Sequence, residues 1–268
     1  MRKTTSFLSS PRFVKFCVIS AISIWISTIV FGLLIAQLDR AGPEYDPSGF
    51  NFLINYISDL GSLRFTPLPI ILDFGMMATG LLMVPVSNSI RKLLVADGTK
   101  ISRKILGNIT FAVLLIGMIG FFLTGVLSED TGEMFDQIIG FPFDEYPWHD
   151  IVADFAFIFF MLSGILVASQ FVLFKDILEK DIGLKRPRVA RILLIINTWI
   201  FTPIFFGFFY SVPYLWYDTP FWTYLPMWQW APLWEWLLMF SIVGSLFSVS
   251  LMLIKPLNRE ILKEMEKS

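Results

Sequence analysis

The sequence contains few of the residues that build the commonest catalytic and metal centres. Its 268 residues include one cysteine, Cys17, and one histidine, His149. A single cysteine excludes a disulfide within the chain, and a single histidine excludes a zinc site made of three histidines. The sequence also lacks a glycine-rich phosphate loop, a G-x-S-x-G nucleophile motif, an H-E-x-x-H motif and a C-x-x-C pair. No recognised catalytic set is therefore present.

Long apolar runs dominate what is present. Hydrophobic residues make up 55% of the chain and charged residues 16%, and the mean hydropathy is +0.67. A soluble domain of this size would need a more polar surface. Runs of about 20 apolar residues have the length that an α-helix needs to cross a bilayer. We predict an all-α, polytopic membrane protein with a single domain over residues 1–268 and membrane spans at 16–38, 67–90, 105–127, 151–174, 192–215 and 232–254.

Basic residues are concentrated in alternate connecting segments. Four Lys or Arg residues precede the first apolar run, five lie in residues 91–104, six lie in 175–191 and four lie from Lys255 onward. The other loops hold only Arg40 and Arg64. Because Lys and Arg accumulate in cytoplasmic loops, this pattern predicts a six-helix bundle in the cell membrane with both termini in the cytoplasm and the acidic loops outside.

The outer loops have features of their own. Residues 125–154 carry eight carboxylates and His149 but no Lys or Arg. A short surface helix is predicted at 131–139, and Asp130 is placed to cap it. Apolar residues at helical spacing predict a second short interfacial helix over residues 48–62. The last outer loop, 216–236, holds six of the nine tryptophans; an aromatic belt is favoured over a stacking cage for a sugar or choline-like headgroup.

Several features predict contacts between the membrane helices. Small residues that let helix backbones approach closely occur in the second, third and sixth spans: Gly75, Gly80, Gly117, Gly120, Gly125, Ser241, Gly244, Ser245 and Ser248. Pro203 predicts a kink in the fifth span, because proline removes a helical hydrogen bond. Asp73 lies roughly 10 Å below the predicted start of the second span. An ionised carboxylate facing lipid costs about 2–3 kcal/mol or more, so Asp73 should face the bundle.

Asp150 and Asp154 share one helix face at the start of the fourth span, because they are four residues apart. Two like charges at this spacing repel unless a proton or a cation lies between them. His149 precedes them and has nitrogen atoms that bind protons or metals. The structural alternatives are that Asp150 stabilises a helix amino terminus and that His149 bonds to a backbone carbonyl.

Three pieces of sequence resemble a known family. They are Tyr56-Ile57-Ser58-Asp59-Leu60-Gly61, then Gly125-Val126-Leu127-Ser128-Glu129-Asp130, and His149 followed by Ala153 in an H-x-x-x-A pattern. In this order they resemble the prokaryotic six-span membrane family called domain of unknown function 998. The chain has Leu-Ser in the second piece where the family has Phe-Pro. The resemblance implies that Ser58, Asp59, Asp130 and His149 converge near the outer face, and it implies no reaction.

These observations leave three hypotheses for function. The favoured one is a binding, sensing or lipid-organising protein whose expected partners are membrane lipids and a small-molecule or lipid-headgroup ligand. The first alternative is a metal-assisted lipid hydrolase or transferase, with a divalent metal at His149, Asp150 and Asp154. The second is a proton- or cation-coupled transporter that uses Asp73 and Asp154. Nucleic-acid binding has no support, because the basic loops follow from topology. The candidate site residues are Ser58, Asp59, Asp73, Asp130, His149, Asp150 and Asp154.

Overall fold

The computed structural model describes residues 7–38, 50, 55–95, 100–140, 147–216 and 231–266. Within these ranges the chain forms eight α-helices and no strand. They are α1 (Pro11–Leu38), α2 (Ile70–Leu94), α3 (Ile101–Val126), α4 (Glu129–Ile139), α5 (Trp148–Leu173), α6 (Pro187–Ile195), α7 (Thr202–Trp216) and α8 (Ala231–Met265).

Six helical segments in the described ranges are long and apolar enough to cross a membrane. These are α1, α2, α3, α5, the continuous segment Pro187–Ser211 and α8. The prediction of an all-α membrane protein with six spans is confirmed, and α4 is the predicted short helix between spans. Which end of the bundle faces the cytoplasm stays a prediction. We call the end that carries α4 and the amino termini of α2 and α5 the acidic end.

The last helix is longer than the sequence predicts. The predicted span ends at residue 254, whereas α8 has 35 residues, contains Pro256 and continues to Met265. Arg259, on the extension, donates hydrogen bonds to the carbonyls of Asp181 and Ile182 at 2.7 and 2.9 Å. These contacts with the segment before α6 support a helix that hydropathy alone would end earlier.

Glycines allow the helices to approach closely, as predicted for the second and third spans. A Cβ added at Gly75 would lie 2.1 Å from Thr28 Oγ1 of α1, and one at Gly120 would lie 2.9 Å from the Ala156 backbone nitrogen of α5. The prediction for Gly244 is wrong. That residue is exposed and an added Cβ would meet nothing within 4 Å, so it faces the lipid side of α8.

The irregularity predicted at Pro203 takes the form of a π-helical stretch, Ile196–Phe201, between α6 and α7. The Thr202 hydroxyl donates to the Asn197 carbonyl at 2.8 Å, and the Asn197 amide donates to the Ser241 carbonyl of α8 at 2.8 Å. Pro203 supplies no N–H, and side-chain donors bond to backbone carbonyls at the resulting break. The break therefore ties the fifth span to α8.

Candidate functional site

The loop before α2 forms a turn over residues 55–63, which we call the carboxylate-held turn. The sequence predicts a continuous helix over residues 48–62. In the structure only Ser58–Gly61 is helical, as a single 3₁₀ turn, and residues 55–57 are not helical. Residues 48, 49 and 51–54 lie outside the described ranges. The helix prediction is wrong for residues 55–57, because side-chain carboxylates take the place of backbone carbonyls as hydrogen-bond acceptors there.

Asp59 is the carboxylate that the turn itself supplies. Its Oδ2 accepts a hydrogen bond from the Tyr56 N–H at 2.8 Å and another from the Asn55 side-chain amide at 3.2 Å. The side chain is buried, with 5% of its residue surface exposed. Burial, followed by the nearby charge of Glu129, raises the pKa of Asp59 to about 7, although the bonds from Asn55 and Tyr56 act to lower it. Asp59 is therefore poised to change charge near neutral pH.

Glu235 of α8 holds the same turn from the opposite side. Its Oε2 accepts the Ile57 N–H at 2.7 Å, and the next residue, Trp236, donates its indole N–H to the Asn55 carbonyl at 3.0 Å. Glu235 is buried, with 6% of its surface exposed. The turn is thus fixed to the first two helical turns of α8 by a pair of hydrogen bonds.

Asp130 of α4 provides the third carboxylate. Its Oδ1 accepts the Ser62 hydroxyl and its Oδ2 accepts the Leu63 N–H, both at 2.9 Å. The prediction that Asp130 caps the surface helix is wrong. The helix begins one residue earlier, at Glu129, with Ser128 at the cap position and no side-chain capping bond. Asp130 instead connects α4 to the carboxylate-held turn, a long-range contact that local spacing does not reveal.

A small cavity lies directly beneath the turn. Its volume is about 30 Å³, which exceeds the roughly 10–15 Å³ that a cavity needs in order to hold a water molecule. Apolar side chains of α2, α5 and α8 form much of its wall. The polar side chains that line it are Ser58, Asp73, Thr124, Ser128, Glu129, His149 and Glu235. It is too small for a lipid headgroup and large enough for a water molecule or a proton carrier.

Asp73 faces this cavity, which agrees with the expectation that it points into the bundle. The helix α2 begins at Ile70, so Asp73 lies in its first turn and not about 10 Å deep. The helix dipole favours a negative charge at this position. Its Oδ1 is buried with no hydrogen-bond partner in the described structure. One oxygen of Asp73 therefore lacks the partner that burial demands.

His149 lies between the cavity and an open groove. The groove measures about 450 Å³, and its described lining includes Glu129, Glu133, Asp136, His149 and Asp150. His149 and Glu129 also line the cavity. The His149 Nδ1 is 2.6 Å from the Leu127 carbonyl oxygen. Because a carbonyl only accepts, Nδ1 carries a hydrogen, and Nε2 is the nitrogen free to gain or lose a proton.

Asp150 and Asp154 diverge despite their spacing. Asp150 lies in the first turn of α5 and lines the groove, whereas Asp154 accepts a hydrogen bond from the Tyr210 hydroxyl of α7. Among the described residues, no group of three His, Cys, Asp or Glu side chains is arranged to hold a metal ion. The set His149, Asp150 and Asp154 therefore has no geometric support as a metal site, and metal-assisted chemistry and transport stay predictions.

The sequence reasoning missed Glu235 and Glu129. Glu235 follows Pro232 by three residues inside a predicted membrane span, so the rule that singled out Asp73 applies to it equally. Glu129 gave no comparable signal, because carboxylates are common in surface loops. The choice between an aromatic belt and a stacking cage stays open, since residues 217–230 lie outside the described ranges.

Comparison with known proteins identifies a family but no activity. The family model described as protein of unknown function (DUF998) matches residues 29–252. This range includes the carboxylate-held turn, the cavity and the groove. No curated protein and no solved structure matches the chain.

Proposed function

The chain belongs to the family described as protein of unknown function (DUF998), and we propose that it is a non-enzymatic sensor of protons at the acidic end of a membrane bundle. In this proposal neutral Asp59 keeps the carboxylate-held turn closed over the cavity. Ionised Asp59 favours release of the turn, which opens the cavity to the groove. The observation that carries the proposal is that three carboxylates, Asp59, Asp130 and Glu235, hold one turn that covers a cavity lined in part by titratable side chains.

The hydrogen bonds of Asp59 fit a neutral acid in the closed state. Both bonds, from Tyr56 and from Asn55, fall on Oδ2. The other oxygen, Oδ1, is therefore able to carry a proton without the loss of either bond. Protonation removes the buried charge and leaves the local geometry intact.

The titratable groups around Asp59 also favour its neutral, protonated form in the closed state. Glu129 of α4 raises its pKa, and Glu235 of α8 interacts electrostatically with Asp59. Tyr56, next to it on the turn, is neutral at physiological pH because burial, followed by the charges of nearby carboxylates, raises the pKa of its phenol to about 12. Ionisation of Asp59 thus adds a negative charge among carboxylates in a poorly solvated place.

The direction of the pH response follows from linkage. The closed state holds Asp59 with a pKa of about 7, whereas a carboxyl group released into water has a pKa of about 4. Between these values the closed state binds more protons than the open state. Acidification therefore stabilises the closed turn, and the preference weakens as pH rises toward about 7 and is fully lost above it.

Thiol labelling tests the proposal. Cys17 is fully buried, and its replacement by alanine leaves a background in which Ser58→Cys places one thiol in the cavity wall. Met134→Cys, on the exposed face of α4, is the matched control for the pH dependence of the thiol itself. We expect the Ser58→Cys to Met134→Cys ratio of maleimide labelling rates to rise by about 100-fold as pH passes from about 5 to 9. The Asp59 pKa of about 7 in the closed turn lies about two pH units above the starting pH, and each unit of linkage changes the equilibrium about tenfold.

The change Asp59→Asn removes the titrating group and should flatten this ratio across the same range. A ratio that stays constant with pH in the unmodified turn would contradict the proposal. So would a pH-dependent ratio that persists in Asp59→Asn, because another group would then control access.

A further inference from the structure

One acceptor oxygen in the cavity beneath the turn has no hydrogen-bond donor in the described structure. Asp73 Oδ1 is buried and has no partner in the described structure, and Asp73 lines a cavity of about 30 Å³. A buried acceptor without a partner destabilises the folded protein. Internal waters typically occur at polar sites of this size with several neighbouring polar groups.

His149 supplies a complementary group, and it lines both this cavity and the groove. Its Nδ1 hydrogen is committed to the Leu127 carbonyl, which leaves Nε2 for any contact across the cavity or the groove. His149 therefore lies between the open groove and the cavity that holds the unpartnered oxygen of Asp73.

We propose that the cavity binds one water molecule that bridges His149 Nε2 and Asp73 Oδ1, and that this water carries protons between the groove and Asp73. The inference uses the same cavity as the proposed function, and it does not require the carboxylate-held turn to move. It assigns His149 a role as a proton relay and Asp73 a role as the terminal acceptor.

The proton transfer balances without another reactant. A proton from the groove binds His149 Nε2 and gives an imidazolium whose Nδ1 hydrogen stays on the Leu127 carbonyl. The Nε2 proton passes to the water, which gives one of its own protons to Asp73 Oδ1. His149 and the water return to their initial states, and the net change is conversion of the Asp73 carboxylate to a carboxylic acid.

Gly61 offers a variant that crowds the proposed water position and retains both titratable side chains, with Asp73 Oδ1 shifting to accommodate the added methyl group. A Cβ at Gly61 would lie 2.9 Å from Asp73 Oδ1 and 3.9 Å from Ser128 Cβ. Gly61→Ala should therefore put a methyl group where the water is proposed to bind. Gly140→Ala is not a suitable control because Gly140 has a positive φ of 89°; Gly207→Ala is suitable, since an added Cβ there meets nothing within 4 Å.

Infrared difference spectroscopy of the full-length protein after a pH jump tests the proposal. The carboxylic-acid band lost in Asp73→Asn reports protonation of Asp73, and an O–H stretch that shifts in ¹⁸O water reports the bound water. In Gly207→Ala both signals should match the original protein. In His149→Phe and in Gly61→Ala the Asp73 band should rise roughly 100-fold more slowly, the size of effect expected when a positioned proton-transfer group is lost.

The ¹⁸O-sensitive band should also disappear in Gly61→Ala. The proposal is overturned if no ¹⁸O-sensitive band exists, or if the Asp73 band forms at the original rate in whichever of His149→Phe and Gly61→Ala is folded by size-exclusion chromatography. Asp59→Asn separates the two proposals, because it should abolish the pH dependence of Ser58→Cys labelling and leave the water band and the relay rate unchanged.

Discussion

The Ile57 N–H donates to Glu235 Oε2 at 2.7 Å, and this bond joins positions 178 residues apart in the sequence. The donor lies in the loop before the second membrane span, and the acceptor lies in the first turns of the sixth. Both groups are buried. A backbone donor and a carboxylate that each need a partner thus satisfy one another, which fixes the carboxylate-held turn on α8.

Glu235→Leu should destabilise the protein because it leaves the Ile57 N–H buried without an acceptor. We expect a loss of about 1–3 kcal/mol in the free energy of unfolding. Glu235→Gln keeps an acceptor oxygen for the Ile57 N–H, so it should be within about 1 kcal/mol of the original protein. Reversible unfolding in mixed micelles at neutral pH measures both. Equal losses in the two variants would show that the hydrogen bond to Ile57 is not the cause.

Asp59→Asn should change how stability depends on pH. In the original protein, burial raises the pKa of Asp59 to about 7, so folding binds a proton between about pH 4 and 7 and stability falls as pH rises through this window. Above the folded-state pKa of Asp59, the destabilising effect of its buried charge is fully present. We expect Asp59→Asn to be more stable by about 2–4 kcal/mol at pH 8 and to be similar at pH 4.

Unfolding of both forms across pH 4 to 9 measures this prediction. Asp130→Asn is the control, because it removes another carboxylate that holds the same turn and leaves Asp59 unchanged. A difference between Asp59→Asn and the original protein that is constant with pH would contradict a titrating Asp59.

The sequence predicted the membrane spans well because hydropathy is a sum over about 20 residues and is insensitive to single contacts. Asp73 was predicted to face the bundle for the same kind of reason: charge in lipid is costly wherever the neighbours lie. Glu235 met this criterion too, and it was overlooked beside the tryptophan-rich loop. The rules that depend only on apolar length and on the cost of a charge in lipid therefore predicted the spans and the inward orientation of Asp73 correctly.

Two predictions that depended on which group accepts a hydrogen bond failed. Local spacing suggested that Asp130 caps its own helix, but its acceptor atoms bond to Ser62 and Leu63, 68 and 67 residues away. The helix predicted for residues 48–62 failed at Tyr56 and Ile57, whose N–H groups bond to carboxylates. Helical periodicity reflects only interactions between residues that are close in the sequence. It carries no information about hydrogen-bond acceptors supplied by α4 and α8.

Arg103 anchors the end of the bundle opposite to the acidic end, and its replacement should be costly. Its guanidinium donates to the carbonyls of Leu93 and Leu94, each at 2.8 Å, and to Asp181 at 2.7 Å. It is buried, with 6% of its surface exposed. Arg103→Met leaves these acceptors unpaired, and we expect a loss of about 3–5 kcal/mol in the free energy of unfolding.

Arg103→Lys should also lose about 2–4 kcal/mol, because an ammonium group does not reproduce the fork that serves three acceptors. The matched control is Lys180→Met. Its ion pair with Asp176 has side chains 75% and 63% exposed, and loss of such a pair should change stability by less than about 1 kcal/mol. Similar losses for Arg103→Lys and Lys180→Met would contradict the assignment of Arg103 as an anchor.

The orientation of the bundle is testable with two cysteine variants that leave every Lys and Arg in place. Met134 is exposed on α4 at the acidic end, and Glu264 is exposed in the last helical turn of α8. In a Cys17→Ala background, Met134→Cys should react with a membrane-impermeant maleimide on intact cells. Glu264→Cys should react only after permeabilisation, because basic segments stay in the cytoplasm. The reverse pattern would place the carboxylate-held turn on the cytoplasmic side, where it would respond to internal pH.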